Sequence, residues 1–218
     1  MGRYKLVILI PARNESKTIM NVTKKIKKFG DILVIDDNSS DNTIKLLKNK
    51  KIKYLSNKYS LGYEKTIIKG LKYLIKKKYS HIATFDADGE HDANFFLNII
   101  KFKEYDLVIG KRKKFNRIIE SIFSFFTNFF LKIEDPLSGL KVYKINTLKK
   151  IKLDCDNSLS TSIILKIMFL NGKIIHKNLN VFKRKDNSRL GNNISANLKI
   201  ISSIIKFFTY SNKFKSNV

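Results

Sequence analysis

The chain has 218 residues, of which 43% are hydrophobic and 28% charged, so it can bury one sizeable core or two small ones. These values, with 9 glycines, are typical of globular proteins and argue against a disordered chain. The formal net charge of +26 favours a polyanionic neighbour: nucleic acid, an anionic membrane face or a phosphorylated substrate. A general drift towards Lys, Asn and Ile would give the same charge.

The sequence predicts a chain without an internal disulfide and without a membrane-spanning helix. Cys155 is the single cysteine, which fits a reducing compartment. Residues 6–10 are too short an apolar run for a signal peptide and lead directly into Pro11. No stretch of about eighteen uninterrupted apolar residues exists. We therefore expect a cytoplasmic protein.

Short apolar runs alternate with helical patterns through the first half of the chain. Residues 5–10, 31–35, 52–55, 81–85 and 105–109 are the predicted strands, the first two typical of strands buried on both faces. The predicted helices carry the apolar stripes Ile19-Val22-Ile26-Phe29, Leu46-Leu47 and Ile67-Ile68-Leu71-Leu74-Ile75, and a further helix covers residues 93–102. Strand–helix alternation with short loops predicts a mostly parallel sheet flanked by helices.

Two helices of the second half could lie in the core or at a membrane interface. Residues 118–131 are rich in aromatics, almost uncharged, and follow the basic run of residues 111–114. Residues 194–210 form a second apolar stripe among lysines. Aromatic side chains with basic flanks suit an anionic bilayer surface, but a packed core helix has the same pattern.

Acidic residues follow three of the predicted strands: Glu15 after the first, Asp36 and Asp37 after the second, and Asp86 and Asp88 after the fourth. Ligands of parallel sheets bind outside the carboxyl ends of the strands, where these clusters would meet. Asp86 and Asp88 point the same way if the strand continues through them. A hard ion such as Mg²⁺ would relieve their repulsion. Turn chemistry alone explains one such cluster but not three at one edge.

Four motifs resemble those of the family-two glycosyltransferases, inverting enzymes of GT-A fold that use nucleotide-sugar donors. Residues 10–15 (IPARNE), 34–43 (VIDDNSSDNT) and 86–89 (DADG) carry the family resemblance. Residues 135–143 (DPLSGLKVY) are similar to a segment of polyprenyl-phosphate sugar transferases of the dolichol-phosphate mannose synthase type. Arg184 with Ser188 and Arg189 resembles their basic segment, so that the likeness covers about residues 4 to 191.

The resemblance implies an α/β chain of GT-A fold with a Rossmann-like central sheet and a smaller acceptor-side extension. Residues 1–218 would form one glycosyltransferase domain. Residues 1–110 would bind the nucleotide sugar, residues 111–191 would form the acceptor side, and residues 192–218 an amphipathic helix and tail.

The resemblance also assigns donor-side roles. The implied nucleotide-binding residues are Pro11, Ala12, Glu15, Asp36, Asp37, Asp86, Ala87 and Asp88. Asp86 and Asp88, with Glu90 as a possible third ligand, would hold Mg²⁺ or Mn²⁺ on the donor diphosphate, and Asp88 would be the more direct ligand. Glu90 could instead cap the following helix.

On the acceptor side, Arg112, Arg184, Ser188 and Arg189 are the implied phosphate contacts. Residues 157–162 lack the acidic side chains that the polyprenyl-phosphate enzymes usually carry there. A phosphate acceptor, already anionic, needs no strong base; for a hydroxyl acceptor, Asp135 is the remaining candidate. The expected acceptor is a polyprenyl phosphate at the inner membrane face, with a possible anchoring partner. A saccharide acceptor in surface polysaccharide or lipopolysaccharide synthesis is the alternative.

The chain departs from the family pattern in one segment that would shape the donor pocket. Relatives often have a glycine- and alanine-rich stretch where this chain has Tyr63, Glu64 and Lys65. A catalytically inactive, membrane-associated member of the family would fit that change. A basic nucleic-acid-binding protein would fit the charge, but it leaves the three acidic clusters unexplained.

Overall fold

The computed structural model of the chain describes residues 4–115, 118–154 and 159–182. The strands are β1 (Leu6–Ala12), β2 (Asp31–Asp36), β3 (Tyr54–Ser56), β4 (His81–Thr84), β5 (Leu107–Arg112), β6 (Lys141–Lys144) and β7 (Ile174–Leu179). The α-helices are α1 (Ile19–Ile26), α2 (Thr43–Asn49), α3 (Tyr63–Leu74), α4 (Ile118–Leu131), α5 (Ile145–Leu148) and α6 (Leu159–Phe169). Two 3₁₀-helices, Ala93–Phe96 and Ile99–Phe102, lie between β4 and β5.

The seven strands form one sheet in the order β3-β2-β1-β4-β6-β5-β7. The pairs β2–β3, β1–β2, β1–β4 and β5–β7 are parallel, whereas β6 is antiparallel to both β4 and β5. The predicted mostly parallel α/β sheet is therefore confirmed. The antiparallel strand β6 was not predicted. It begins inside the segment of residues 135–143, for which the family resemblance implied a role on the acceptor side but no secondary structure.

Alternate residues of β1 face opposite layers of helices. Val7 and Leu9 pack in a cluster with α3 and α6, whereas Ile8 and Ile10 pack with α1 and α2, and all four are at most 1% exposed. Burial of each such side chain contributes about 1.5–3 kcal/mol. The continuous apolar run of β1 thus stabilises both faces of the sheet, as a central parallel strand requires.

The helix predicted for residues 93–102 is wrong in its form. Asn98 has φ 59°, a left-handed conformation that an α-helix cannot contain, and it separates the two 3₁₀-helices. Asp92 caps the first of them, since its side chain accepts a hydrogen bond from the Asn94 backbone N–H.

The predicted helix of residues 118–131 is confirmed as α4, and its two sides differ sharply. Phe123, Ser124 and Thr127 are buried. The opposite side exposes Ile118, Ile122, Phe125, Phe126, Phe129 and Phe130, by 41–82% of their surface. Across the described part of the chain, no helix is both long enough and apolar enough to cross a bilayer. The helix predicted for residues 194–210 lies outside the described residues.

Candidate active site

The sheet register brings the acidic clusters to one edge. Ala12, the last residue of β1, pairs with Asp36, the last residue of β2. On the other side of β1, Leu9 pairs with Thr84 at the end of β4, and Asp86 follows two residues later. Because these strands are parallel neighbours, their carboxyl ends form a common rim. The expected convergence of the three clusters is therefore found.

The turns after β1 and β2 are joined by hydrogen bonds. The Asn14 backbone N–H donates to Ser39 Oγ at 2.8 Å, and the Ser40 N–H donates to Asn14 Oδ1 at 2.7 Å. The Glu15 N–H donates to Thr43 Oγ1 at 2.8 Å. Pro11 and Ala12 are buried at the end of β1. Of the predicted nucleoside-pocket residues, Pro11 and Ala12 thus end β1, and Glu15 lies in a turn that is hydrogen-bonded to the turn after β2.

Asp36 has an acceptor oxygen that the described residues do not satisfy. Its side chain is 0% exposed, and Oδ2 accepts a hydrogen bond from the Ser39 N–H at 3.2 Å. Oδ1 is buried and has no hydrogen-bond partner within the described part of the chain. A buried acceptor without a donor costs about 1–3 kcal/mol, so a ligand that donates a hydrogen bond here would be favoured.

Asp37 organises the loop before α3. Its Oδ1 accepts from Asn57 Nδ2 and the Leu61 N–H, both at 2.7 Å, and its Oδ2 accepts from Ser60 Oγ at 2.9 Å and the Gly62 N–H at 3.0 Å. Burial opposes the charge, but these four hydrogen bonds outweigh it and lower the pKa of Asp37 to about 2. The Asp37 carboxylate therefore holds the loop of residues 57–62 in place.

Three segments contact the carboxylate of Asp86. The Tyr63 hydroxyl, at the start of α3, donates to Oδ1 at 2.7 Å. Nε2 of His91 lies 3.6 Å from Oδ2. A Cβ on Gly139 would lie only 2.1 Å from Oδ2, so that only glycine fits beside this carboxylate. This close approach explains why a glycine follows Ser138: the loop before β6 packs directly against Asp86 at this point.

Asp88 lies in the turn that follows. Its Oδ1 accepts from the Glu90 N–H at 3.0 Å, and Gly89 has φ 81°. The described residues contain no group of three or more His, Cys, Asp or Glu side chains arranged to hold a metal ion. The three predicted ligands therefore do not form a complete protein cage. Two carboxylates at one turn do fit an ion that takes its remaining ligands from water and phosphate oxygens, as Mg²⁺ does.

Asp135 and Arg112 bind each other. Arg112 Nε and the Arg112 backbone N–H donate to Asp135 Oδ2 at 2.8 and 3.0 Å, and Nη2 donates to Oδ1 at 2.8 Å. Asp135 is 1% exposed, and Arg112 also lies 3.2 Å from Glu120. Burial opposes the guanidinium charge, but the two carboxylates outweigh it and raise the pKa of Arg112. The predicted base and the predicted phosphate ligand thus form one ion pair.

Lys141 is a buried cation that sequence reasoning missed. It is 1% exposed in β6, and its Nζ donates to Ser160 Oγ at 2.6 Å and to the Ser138 carbonyl oxygen. Burial lowers the pKa of Lys141 to about 7, although the charges of Asp135 and Asp86 oppose the shift. The available signal was a lysine directly before the apolar pair Val142-Tyr143, two residues after the Ser-Gly pair.

Arg184, Ser188 and Arg189 lie outside the described residues. The chain that precedes them is fixed beside the acidic motif, because the Phe182 N–H donates to the Glu90 carbonyl oxygen at 2.8 Å and the Asp92 N–H to that of Asn180 at 3.1 Å. His91 also forms an isolated β-bridge with Val181.

Comparison with known families decides the identity of this rim. The profile of "Glycosyl transferase family 2" matches residues 7–137, which include β1, β2, β4 and all three acidic clusters. The chain belongs to glycosyl transferase family 2. The suspected resemblance to this family is confirmed.

The chain is similar in sequence to proteins of Methanocaldococcus jannaschii and Methanococcus voltae. The chain is 28% identical over 200 residues to an uncharacterised protein of Methanocaldococcus jannaschii, covering 81% of this chain and 87% of the relative. It is 28% identical over 180 residues to the UDP-N-acetylglucosamine–dolichyl-phosphate N-acetylglucosaminyltransferase of Methanococcus voltae, covering 66% of this chain and 71% of that enzyme.

Solved structures confirm the GT-A fold. Glucosyl-3-phosphoglycerate synthase of Mycobacterium tuberculosis, in complex with Mn²⁺, UDP and glucosyl-3-phosphoglycerate, superposes with a TM-score of 0.75 at 15% identity. The superposition covers 94% of this chain and 80% of that chain. At this identity the likeness extends to the fold alone.

Proposed function

We propose that this family 2 enzyme transfers a sugar, with inversion, from a nucleotide-sugar donor to a polyprenyl phosphate at a membrane surface, using Mg²⁺ or Mn²⁺. The choice of a phosphate acceptor rests on the ion pairs of the carboxylates in the acceptor-side half, residues 111–191. Each of the four described ones lies within 4.0 Å of a Lys or Arg nitrogen: Glu120, Glu134, Asp135 and Asp154. A carboxylate paired in this way is a poor base for a sugar hydroxyl, whereas a phosphate acceptor arrives already ionised.

The relative from Methanococcus voltae supports the same acceptor class, since its name specifies a dolichyl phosphate. The motif of residues 135–143 had suggested this class from the sequence. In our proposal, Asp135 positions Arg112, and Arg112, Arg184, Ser188 and Arg189 contribute the phosphate contacts. Asp135 engages three of the six N–H groups that the Arg112 guanidinium and backbone amide carry, and Nη1 lies 3.2 Å from Glu120, so the remaining N–H groups would contact the phosphate.

The donor would bind along the rim at the ends of β1, β2 and β4. Glu15 and Asp36, with Pro11 and Ala12, would surround the nucleoside, and the unsatisfied Oδ1 of Asp36 would accept a hydrogen bond from it. Asp37 would support this pocket by holding the loop of residues 57–62. The mycobacterial synthase was solved in complex with UDP and Mn²⁺, which supports a nucleoside diphosphate with a divalent ion as the donor-side ligand.

Asp86 and Asp88 would hold the divalent ion, with Glu90 close to it. When bound, such an ion neutralises the negative charge that grows on the leaving nucleoside diphosphate. The oxygen-only donor set of this turn fits Mg²⁺ or Mn²⁺ rather than a thiolate-preferring metal.

The exposed aromatic side of α4 supports a membrane surface as the site of reaction. Phe125 stacks with Phe129, and Phe126 stacks with Phe130, with 6.4 Å between the ring centroids of each pair. All four residues are at least 41% exposed. Contiguous exposed apolar patches of this kind mark interaction sites. On its other side, α4 holds the acceptor loop, because Ser124 Oγ accepts a hydrogen bond from the Asp135 N–H at 3.1 Å. A lipid-linked acceptor would therefore reach the site at the membrane face.

The experiment that tests the proposal combines purified protein, Mn²⁺, labelled UDP- and GDP-sugars and a short polyprenyl phosphate. We expect labelled lipid that depends on the metal and is lost in Asp88→Asn. The matched control is Asp92→Asn, since Asp92 caps the next helix and lies four residues further on. Labelled oligosaccharide without labelled lipid would contradict the acceptor and favour the saccharide alternative. Metal-dependent nucleotide binding that persists in Asp88→Asn would contradict the metal assignment.

A further inference from the structure

Within the described part of the chain, the Asp86 carboxylate accepts a hydrogen bond from the hydroxyl of Tyr63, the first residue of α3. We propose that Tyr63 is a positioning residue that holds the Asp86 carboxylate for the metal–nucleotide complex. The inference rests on the proposed function of this rim. It assigns a role to a tyrosine that the donor-side roles given above do not include.

The position of Tyr63 is fixed by Asp37. Asp37 accepts hydrogen bonds from the N–H groups of Leu61 and Gly62, the two residues directly before Tyr63. Gly62 has φ 83°, which glycine adopts without strain, and α3 begins at the next residue. The cluster after β2 therefore determines where the first side chain of α3 points. Tyr63 crosses from there to the cluster after β4.

The Tyr63 hydroxyl can fix Asp86 because the other side of the carboxylate is already blocked. Oδ2 occupies the place where a Cβ on Gly139 would lie and is 3.6 Å from His91 Nε2, while Oδ1 accepts the 2.7 Å hydrogen bond from Tyr63. Thr84 Oγ1 donates to the Gly139 carbonyl oxygen at 2.7 Å and keeps that backbone in place. Without the hydroxyl, the carboxylate could turn away from Gly139 into the space that the hydroxyl leaves.

One hydrogen bond to Oδ1 leaves the carboxylate able to bind a metal. An ionised carboxylate offers about four lone-pair positions, and Tyr63 uses one of them. Hydrogen bonds to ligating carboxylates orient the ligand, and their loss typically costs 10–100-fold in metal affinity or activity. Phenylalanine at position 63 keeps the ring, and the residue is 48% exposed, so that removal of the hydroxyl alone costs little packing.

The test measures binding of UDP and GDP by calorimetry with and without Mn²⁺, and binding of Mn²⁺ by electron paramagnetic resonance. We expect Tyr63→Phe to weaken Mn²⁺-dependent nucleotide binding about tenfold, with metal-free nucleotide binding and the melting temperature unchanged. The matched control is Tyr59→Phe in the same loop, whose ring is 67% exposed. It should behave as the wild type in every measurement.

Three results would overturn the inference, and they are distinguishable. Equal or tighter Mn²⁺-dependent binding in Tyr63→Phe, with a wild type that binds, would refute the positioning role alone. A wild type without any Mn²⁺-dependent nucleotide binding would refute the proposed function and the positioning role with it. A parallel loss of metal-free binding in Tyr63→Phe would assign Tyr63 to the nucleoside pocket and likewise refute the role proposed for it.

Discussion

Substitution of Gly139 by alanine should displace Asp86 and disable the site while the fold remains. A Cβ at this position would lie 2.1 Å from Asp86 Oδ2 and 2.8 Å from its Cγ. Real Cβ atoms essentially never approach closer than 3.0 Å, so Oδ2 must retreat by about 0.9 Å to widen the gap from 2.1 to 3.0 Å. Neither side yields readily, because Thr84 fixes the Gly139 carbonyl and Tyr63 holds Oδ1. A displacement of about 1 Å in an active site can cost about 100-fold in rate.

The assay for Gly139→Ala is the rate of sugar transfer per folded molecule, together with Mn²⁺-dependent nucleotide affinity and the melting temperature. Gly172→Ala is the matched control, since its Cβ would lie 2.5 Å from Ile167 Cγ2 and 2.9 Å from the Ile167 carbonyl oxygen. Gly172 lies before β7, at the opposite edge of the sheet. The control should therefore lose stability without losing activity per folded molecule. Wild-type transfer and affinity in a folded Gly139→Ala variant would refute the reasoning.

Three further substitutions test the acceptor side. Burial lowers the pKa of Lys141 from 10.5 to about 7, so the unfolded state binds more protons between these values. The cost of burying the charged Lys141 ammonium therefore destabilises the fold fully below pH 7, and this destabilisation decreases as the pH rises towards 10.5. The free energy of unfolding should thus rise from pH 7.5 to 9 by up to about 1.4 kcal/mol per unit more in the wild type than in Lys141→Met, and equal slopes in urea unfolding would contradict this. Asp135→Asn keeps the left-handed backbone (φ 48°) but breaks the pair with Arg112. Loss of this buried ion pair should reduce the free energy of unfolding by about 3 kcal/mol, which lowers the melting temperature by about 6–12 °C. An unchanged melting temperature would show that the pair does not stabilise the fold. Phe129→Ser should reduce binding to anionic vesicles at an unchanged melting temperature, because the ring is 65% exposed; undiminished binding would argue against α4 as the membrane face.

Much of the fold was predictable because its determinants are local. Buried parallel strands require continuous apolar runs, and residues 5–10 and 31–35 have them. Where a local conformation breaks the pattern, prediction failed: residues 93–102 carry enough apolar side chains for a helix, but Asn98 adopts a left-handed φ of 59°. Strand β6 was missed for a different reason. Its first residue, Lys141, is charged and yet 1% exposed, a placement that local rules do not anticipate.

The sequence by itself determined the family, the sheet and the edge at which the acidic residues meet. Strand ends in a parallel sheet share an edge whatever the loops do, so Glu15, Asp36 and Asp86 could be grouped without coordinates. Only the tertiary structure decided what each carboxylate touches. Contacts between residues distant in the chain, such as Tyr63 with Asp86 and Arg112 with Asp135, depend on how loops and side chains pack, which sequence periodicity does not encode.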